Sequence, residues 1–243
     1  VAVGLSVTVL GCSGGYPGPA GASAGYLVRD DGVNVWMDAG SGTLANLQRH
    51  VDIDAIDAVV LSHEHPDHWR DVELLYVAMR YGSRVREGLP VYAPAGLREL
   101  TYFDTGPVFA WHTVADGDRV AIKHLSVSFS RTDHGPETLG IRIDGGGRSL
   151  AYSADTGPKW SFASLGAGID LGLCEATLGP EEEGTVQHLS GRQAGAMAAG
   201  ADVARLLLTH VWPERDPADA ATAAAKEFNG PIAVAVLGEE YVV

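Results

Sequence analysis

Residues 61–71 read LSHEHPDHWRD, and the six positions from His63 to His68 hold three of the chain's nine histidines together with two acidic side chains. The apolar run DAVV just before them reads as a short buried strand, so the cluster begins where a strand ends. α/β folds usually place their chemistry at such strand ends. A stretch this dense in ligand-type residues therefore ties the fold to a sheet that presents one end to a polar site.

Imidazole and carboxylate are borderline-to-hard ligands suited to zinc, manganese or iron. A loop leaving a strand can turn alternate side chains to one side, which groups His63 with His65. Asp67 and His68 follow too closely to join the same tetrahedral set comfortably, so a second metal beside the first is the simpler geometry. More candidates lie at other strand ends: His134 ends SVSFSRTDH, Asp155 ends SLAYSAD and His210 ends ARLLLTH. Taken singly, a strand-end His or Asp is more often a cap or a satisfied polar group. Three of them, each after an apolar run and before a turn, read together with HEHPDH as one ligand set.

Along the chain, LSVTVL, AGYLV, VNVWMD and DAVVLS predict strands, with SGTLANLQRH as a helix between the last two and WRDVELLYVAMRY as a helix after the histidine cluster. LPVYAP and AGLREL give another strand and helix. HLSVSFSRTDH, TLGIRID and SLAYSAD then form a meander with turns at GPE and GGG. IDLGLCEA, SGRQAGAMAAGA, ARLLLTH, PADAATAAAKEF and IAVAVLG alternate strand and helix to the end. Two strand groups with helices after most of the later ones predict a layered α/β/β/α sandwich. With 46% hydrophobic residues, the 243 residues can bury one sizeable core, and 1–243 reads as a single domain. The Ala-rich stretches near residues 193–201 and 218–225 carry helix propensity and small-residue packing.

Charge and cysteine content narrow the function. Lys and Arg total 17 against 31 Asp and Glu, a formal net charge of -14, which repels polyanions and disfavours bulk nucleic-acid binding. Two cysteines, Cys12 and Cys174, give no disulfide framework and fit a reducing cytosol. The opening VAVGLSVTVLG shows no basic start or cleavage pattern, and no apolar run approaches a membrane span, so a cytoplasmic protein without membrane contact is expected.

HEHPDH, DHGPETLGIRI, YSADTGP and LLLTH, in that order, resemble the ligand motifs of the metallo-β-lactamase superfamily over nearly the whole chain. CEATLGPEEEGTVQHLSGRQAGAMA is similar to an element of its ribonuclease Z-like phosphodiesterase branch, and the opening loop, LQRH, AYSADTG, LCEA and HLSG look most like actinobacterial atypical cyclic-AMP phosphodiesterases. The resemblance implies a four-layer metallo-β-lactamase sandwich. It also implies two divalent metal ions, zinc or alternatively manganese. His63, His65 and His134 would hold the first, Asp67, His68 and His210 the second, and Asp155 would bridge them. Hydroxide activated by the metal pair would attack a small phosphodiester such as a cyclic nucleotide, with Asp67 orienting it or accepting its proton. His188 would contact the phosphate or protonate the leaving oxygen, with Glu175 fixing its tautomer. Relatives in that branch often form dimers, which leaves a homodimer open.

Departures from the branch matter. Enzymes that process transfer RNA carry a long arm between the third and fourth ligand motifs, whereas 20 residues separate His134 from Asp155 here. GPAGASAGY is uncharged where those enzymes carry basic and Asn residues, and SAD stands where Ser-Gly-Asp is common. These departures favour a small diester over an RNA 3′-end endonuclease. Thioester, lactone or β-lactam hydrolysis, or a non-catalytic metal- or nucleotide-binding module, are the other readings, since fold alone does not assign activity. Ser13 and the Gly-rich loop are candidates for phosphate contact, Trp69 for walling the site or packing beneath it, and PEEEG for a solvated loop near the entrance.

Overall fold

The computed structural model describes residues 4–83 and 85–243. Among them, two seven-stranded sheets stack face to face. The first runs β14 (Glu240–Val242), β1 (Ser6–Gly11), β2 (Gly25–Asp30), β3 (Val33–Ala39), β4 (Ala58–Val60), β5 (Leu89–Ala93), β6 (Phe109–Thr113). The second runs β13 (Ile232–Val234), β12 (Leu206–Thr209), β11 (Leu171–Glu175), β10 (Arg148–Tyr152), β9 (Leu139–Gly145), β8 (Leu125–Arg131), β7 (Arg119–Ile122). Each sheet is antiparallel through β1–β3 or β7–β10 and parallel from β3 or β10 onward. The helices are α1 (Thr43–Leu47), α2 (Pro66–Trp69) and α3 (Asp71–Tyr81) on the first half, α4 (Gly191–Gly200) and α5 (Pro217–Ala224) on the second.

The period-two alternation of the strands sorts their side chains into three apolar layers. Val35 and Met37 of β3 meet Leu150 and Tyr152 of β10 in the central layer, while Trp36 points outward to Leu75 and Met79 of α3. Ala151 and Cys174 face Ala194 and Ala198 of α4 on the opposite side. Each fully buried Val or Leu adds roughly 1.5–3 kcal/mol of transfer free energy, so the layers fix the register of every central strand. The result is the α/β/β/α metallo-β-lactamase sandwich expected from the sequence. The Ala-rich helices pack at backbone distance: a Cβ on Gly191 would stand 2.2 Å from the Ala220 carbonyl oxygen, and one on Gly195 2.4 Å from that of Ala224.

Several elements differ from the sequence reading. β6, β7 and β14 are strands the pattern did not predict; all three lie at sheet edges, where partial exposure erases the alternation. The helix expected at AGLREL is a single 3-10 turn, Arg98–Leu100, and the helix at SGTLANLQRH closes after Leu47. The Gly-Pro hairpin region between His134 and Asp155 is the β9–β10 hairpin. No helix among the described residues is long and apolar enough to cross a membrane.

Candidate metal centre

The site forms where the C-terminal ends of strands from both sheets meet. Asp38 sits near the end of β3, Ser62 to His68 follow β4, His134 follows β8, Asp155 follows β10, Glu175 ends β11 and His210 follows β12. The histidine cluster is not a plain loop: Pro66 opens the four-residue helix α2, with His65 as its cap residue in an extended conformation. Proline is pre-set for the first helical position, so the chain coils immediately after His65 and carries Asp67 and His68 onto a new face. Gly40 makes room for this turn, since a Cβ there would lie 2.0 Å from the Asp67 carbonyl oxygen. Three site-bearing turns hold non-glycine residues in the left-handed region, Asp38 (φ 52°), Ala154 (φ 49°) and His210 (φ 55°), strain of the kind that gathers at functional sites.

All seven sequence-predicted ligand candidates come together in two sets. One nitrogen each of His63, His65 and His134 and an oxygen of Asp155 lie within 4.8 Å of one another, as do ligand atoms of Asp67, His68 and His210. Asp155 spans both: Oδ2 is 3.6 Å from His63 Nε2 and 3.9 Å from His134 Nε2, whereas Oδ1 is 3.3 Å from His68 Nε2 and 3.4 Å from His210 Nε2. His134 Nε2 faces His65 Nδ1 at 3.2 Å, and His68 Nε2 faces His210 Nε2 at 3.2 Å. Asp67 Oδ2 completes the second set at 3.4 Å from His68 Nε2 and 3.3 Å from His210 Nε2. A tetrahedral zinc with bonds of about 2.0–2.1 Å has donor-to-donor edges of roughly 3.3 Å, which these separations approach. His63 Nε2 and Asp155 Oδ1 are buried without a hydrogen-bond partner among the described residues, an arrangement that is costly unless a cation fills the space between them. The residues present therefore fit a pair of divalent cations.

The surrounding hydrogen bonds select the tautomers. His68 Nδ1 bonds Asp38 Oδ2 at 2.7 Å, and the same carboxylate accepts from the Ser62 N–H and hydroxyl, each at 2.8 Å, and from the Tyr152 hydroxyl at 3.0 Å. Because Ser62 Oγ donates to Asp38, it accepts from His63 Nδ1 at 2.9 Å. His134 Nδ1 donates to the Gln187 carbonyl at 2.9 Å, and His210 Nδ1 donates to Thr177 Oγ1 at 2.9 Å, which in turn donates to Glu175 Oε2 at 2.6 Å. In each ring the Nδ1 proton is engaged, which leaves the Nε2 lone pair for a cation. His65 turns Nδ1 inward instead.

Charge differs between the sets. Burial, reinforced by the neighbouring His68, pushes His63 well below the ordinary histidine range, and burial with His134 lowers His65. Burial also opposes charge on His68, but Asp155, Asp67 and Asp38 outweigh it and hold that imidazole well above the ordinary value. Asp67 and Asp155 are buried, which favours their neutral forms, yet the facing imidazoles keep both below the usual carboxylate range.

His188 and Glu175 lie beside this centre. Glu175 is fully buried; its Oε1 accepts from the Thr156 N–H at 2.7 Å and bonds His188 Nδ1 at 2.9 Å. A ring nitrogen of His188 is within 4.8 Å of ligand atoms of Asp155 and His210. Burial works against a charged His188, but the Glu175 carboxylate prevails and raises its pKa to about 9. Glu175 thus touches both the His188 ring and, through Thr177, the His210 ring.

Other sequence candidates resolve differently. The Gly15 N–H of the glycine-rich loop donates to Asp67 Oδ2 at 2.9 Å, so the loop orients a ligand-type carboxylate, and the Ser13 N–H is bonded to the Ala22 carbonyl. Trp69 is buried in the outer core, its Nε1 donating to the Glu64 carbonyl, and packs beneath the site rather than walling it. PEEEG is tied down, with Glu183 on Arg192 at 2.6 Å and Glu182 on Arg215. Asp38, Thr177 and Tyr152 escaped the sequence reading. Asp38 had the strand-end signal of the others, masked because DAGSG also reads as an ordinary turn.

The chain matches the family model of the Beta-lactamase superfamily domain over residues 33–211. It belongs to the metallo-β-lactamase superfamily and is a metallo-hydrolase of that group with a His/Asp cluster able to bind metal. It is 38% identical over 254 residues to "Uncharacterized protein Rv1339" of Mycobacterium tuberculosis, covering 98% of this chain and 92% of that one. It is 31% identical to "Probable metallo-hydrolase YhfI" of Bacillus subtilis, covering 96% of this chain and 98% of the relative, and the crystal structure of YhfI superposes with a TM-score of 0.89 at 28% identity over 98% of both chains. The short form of human tRNase Z shares the fold, with a TM-score of 0.78 at 20% identity over 97% of this chain and 98% of that one.

Proposed function

We propose that this chain is a dinuclear metal-dependent phosphodiesterase acting on a small diester, a cyclic nucleotide of the cyclic-AMP type. The carrying observation is the His188–Glu175 pair at the edge of the two ligand sets. An alkoxide expelled from a phosphodiester needs a proton, and a carboxylate-backed imidazole beside the two ligand sets is placed to supply it. When bound, two divalent cations would lower the pKa of a water toward neutrality and neutralise charge on the phosphoryl oxygens.

The chain's own residues have distinct parts in this reading. His63, His65 and His134 would hold one cation and Asp67, His68 and His210 the other, with an Asp155 oxygen turned toward each set. Asp67, fixed by the Gly15 N–H, orients the attacking water. Glu175 holds His188 Nδ1, so that the opposite ring nitrogen carries the proton destined for the leaving oxygen. The short β9–β10 hairpin and the net charge of -14 favour a small monoanionic substrate over structured RNA.

Turnover of 2′,3′- and 3′,5′-cyclic nucleotides with zinc and with manganese, in parallel with thioester, lactone and β-lactam substrates, tests the reading. Hydrolysis of a cyclic nucleotide that falls about 10²–10⁴-fold in His188→Ala with metal content intact is the expected result. Preference for a non-phosphate ester, or an unchanged rate in the variant, would remove it.

A further inference from the structure

A cavity of about 460 Å³ lies beside the second ligand set, lined by Thr177, Leu178, Val186, Trp212, Glu182 and Glu214 among others. This volume falls within the range of small-ligand sites. Its inner wall adjoins the metal centre, because Thr177 bonds His210 Nδ1 at 2.9 Å, Trp212 follows His210 by two positions, and Val186 precedes His188 by two. The link to the site is direct at Thr177, which lines the cavity and bonds the His210 ring.

Trp212 is 40% exposed, while Trp36, Trp69 and Trp160 are buried. Leaving an indole in water forfeits much of its favourable burial, so a fixed, exposed ring beside a reaction centre is suited to meet a ligand. The ring is indeed fixed. Tyr16 packs edge-on against it with centroids 5.8 Å apart, and the Tyr16 hydroxyl is anchored on Glu214 at 2.5 Å. A Cβ on Gly15 would stand 3.9 Å from the same indole, and the Gly15 N–H donates to Asp67, which places the aromatic wall beside a ligand-type residue. The charge of the cavity excludes a second phosphate: Glu182 and Glu214 line it, and the Arg215 guanidinium is already paired with Glu182. A neutral planar ring with amino groups meets both the apolar wall and the carboxylates.

On the phosphodiesterase reading above, we propose that this cavity is the subsite for the nucleobase of the substrate, with Trp212, braced by Tyr16, as its stacking platform and Leu178 and Val186 as its walls. Trp212 is then a specificity-determining residue that acts on the base and not on the reacting phosphate. An aromatic platform of this kind contributes to binding for any base, because each presents a π-face.

The test compares metal-loaded wild type, Trp212→Ala and Trp212→Phe on 3′,5′-cyclic AMP and on glycerol 1,2-cyclic phosphate, a diester with no base. The ratio of kcat/KM for the nucleotide over the glycerol ester should fall about tenfold or more in Trp212→Ala, through KM, and be largely retained in Trp212→Phe. In parallel, adenosine 5′-monophosphate should quench the tryptophan fluorescence of the wild type and not of Trp212→Phe. An unchanged ratio together with unchanged quenching, alongside active hydrolysis, overturns the subsite and leaves the phosphodiesterase reading intact. Quenching that depends on Trp212 in a protein that hydrolyses neither diester overturns the phosphodiesterase reading and supports the base site.

Discussion

The two ligand sets are unlike in what stands behind them. His134 leans on the neutral Gln187 carbonyl, and His63 reaches the Asp38 carboxylate only through the Ser62 hydroxyl. His68 leans directly on the Asp38 carboxylate, and His210 reaches Glu175 through Thr177. The second set also includes the carboxylate of Asp67, where the first has a third imidazole. The second set, with one imidazole held directly on a carboxylate and a carboxylate of its own in Asp67, is the more electron-rich of the two. Carboxylate-backed imidazoles are more basic ligands, so the second set is built to bind a cation more strongly and, equally, to be contested by protons.

Replacing the residue common to both sets should erase the difference between them. Asp155→Ala removes an oxygen from each, and the expected outcome is loss of both cations by elemental analysis and turnover at background. Asp38→Asn should sharpen the contrast instead. It weakens the direct backing of His68 and lowers affinity for the second cation about 10–100-fold, with a smaller loss at the first, whose His63 meets Asp38 only through Ser62, as read by metal titration calorimetry. A metal content that drops equally at both positions would contradict the asymmetry.

Protons give a finer probe. The raised pKa of His68 means that the metal-free protein holds a proton there at neutral pH; the stability this adds is complete below 6.5, the ordinary value, and is lost as pH rises through the higher folded value. A cation takes the place of that proton. Uptake at the second set should therefore release about one proton and weaken as pH falls, which calorimetry in buffers of differing ionisation enthalpy measures. His63 and His65, with lowered values, should contribute no such release near neutrality.

The smallest effect concerns the turn that presents the bridge. Ala154 stands at φ 49° immediately before Asp155, where a side chain costs about 1–2 kcal/mol relative to an unstrained turn. Ala154→Gly, after the entropy that glycine loses and the buried methyl it gives up, should leave Tm within about 2 °C of the wild type in a thermal melt with metal affinity preserved. A fall of more than about 4 °C would show that the left-handed turn is not strained.

The ligand candidates were legible because they cluster within a few residues of the ends of apolar strands, a pattern that survives in sequence even when partners lie 143 residues apart, as His210 and Asp67 do. Asp38 carries the same pattern but lies in DAGSG, which turn chemistry explains equally well, and only its four hydrogen bonds distinguish it. Glu175 and His188 needed a family resemblance, since a strand-end Glu and a loop His have no spacing that links them. The central strands were legible for the same reason that they are central: both faces are apolar. β14 was not, because its pairing partner β1 is at the other end of the chain and its own residues are half exposed.

The central claim is that Asp155 joins two cation sites of different character. Anomalous diffraction at the zinc edge from metal-loaded crystals tests it most directly. Two peaks roughly 3.5–4 Å apart are predicted, one among His63, His65 and His134 and one among Asp67, His68 and His210, with an Asp155 oxygen on each. A single peak, or two peaks that Asp155 does not touch, would contradict it.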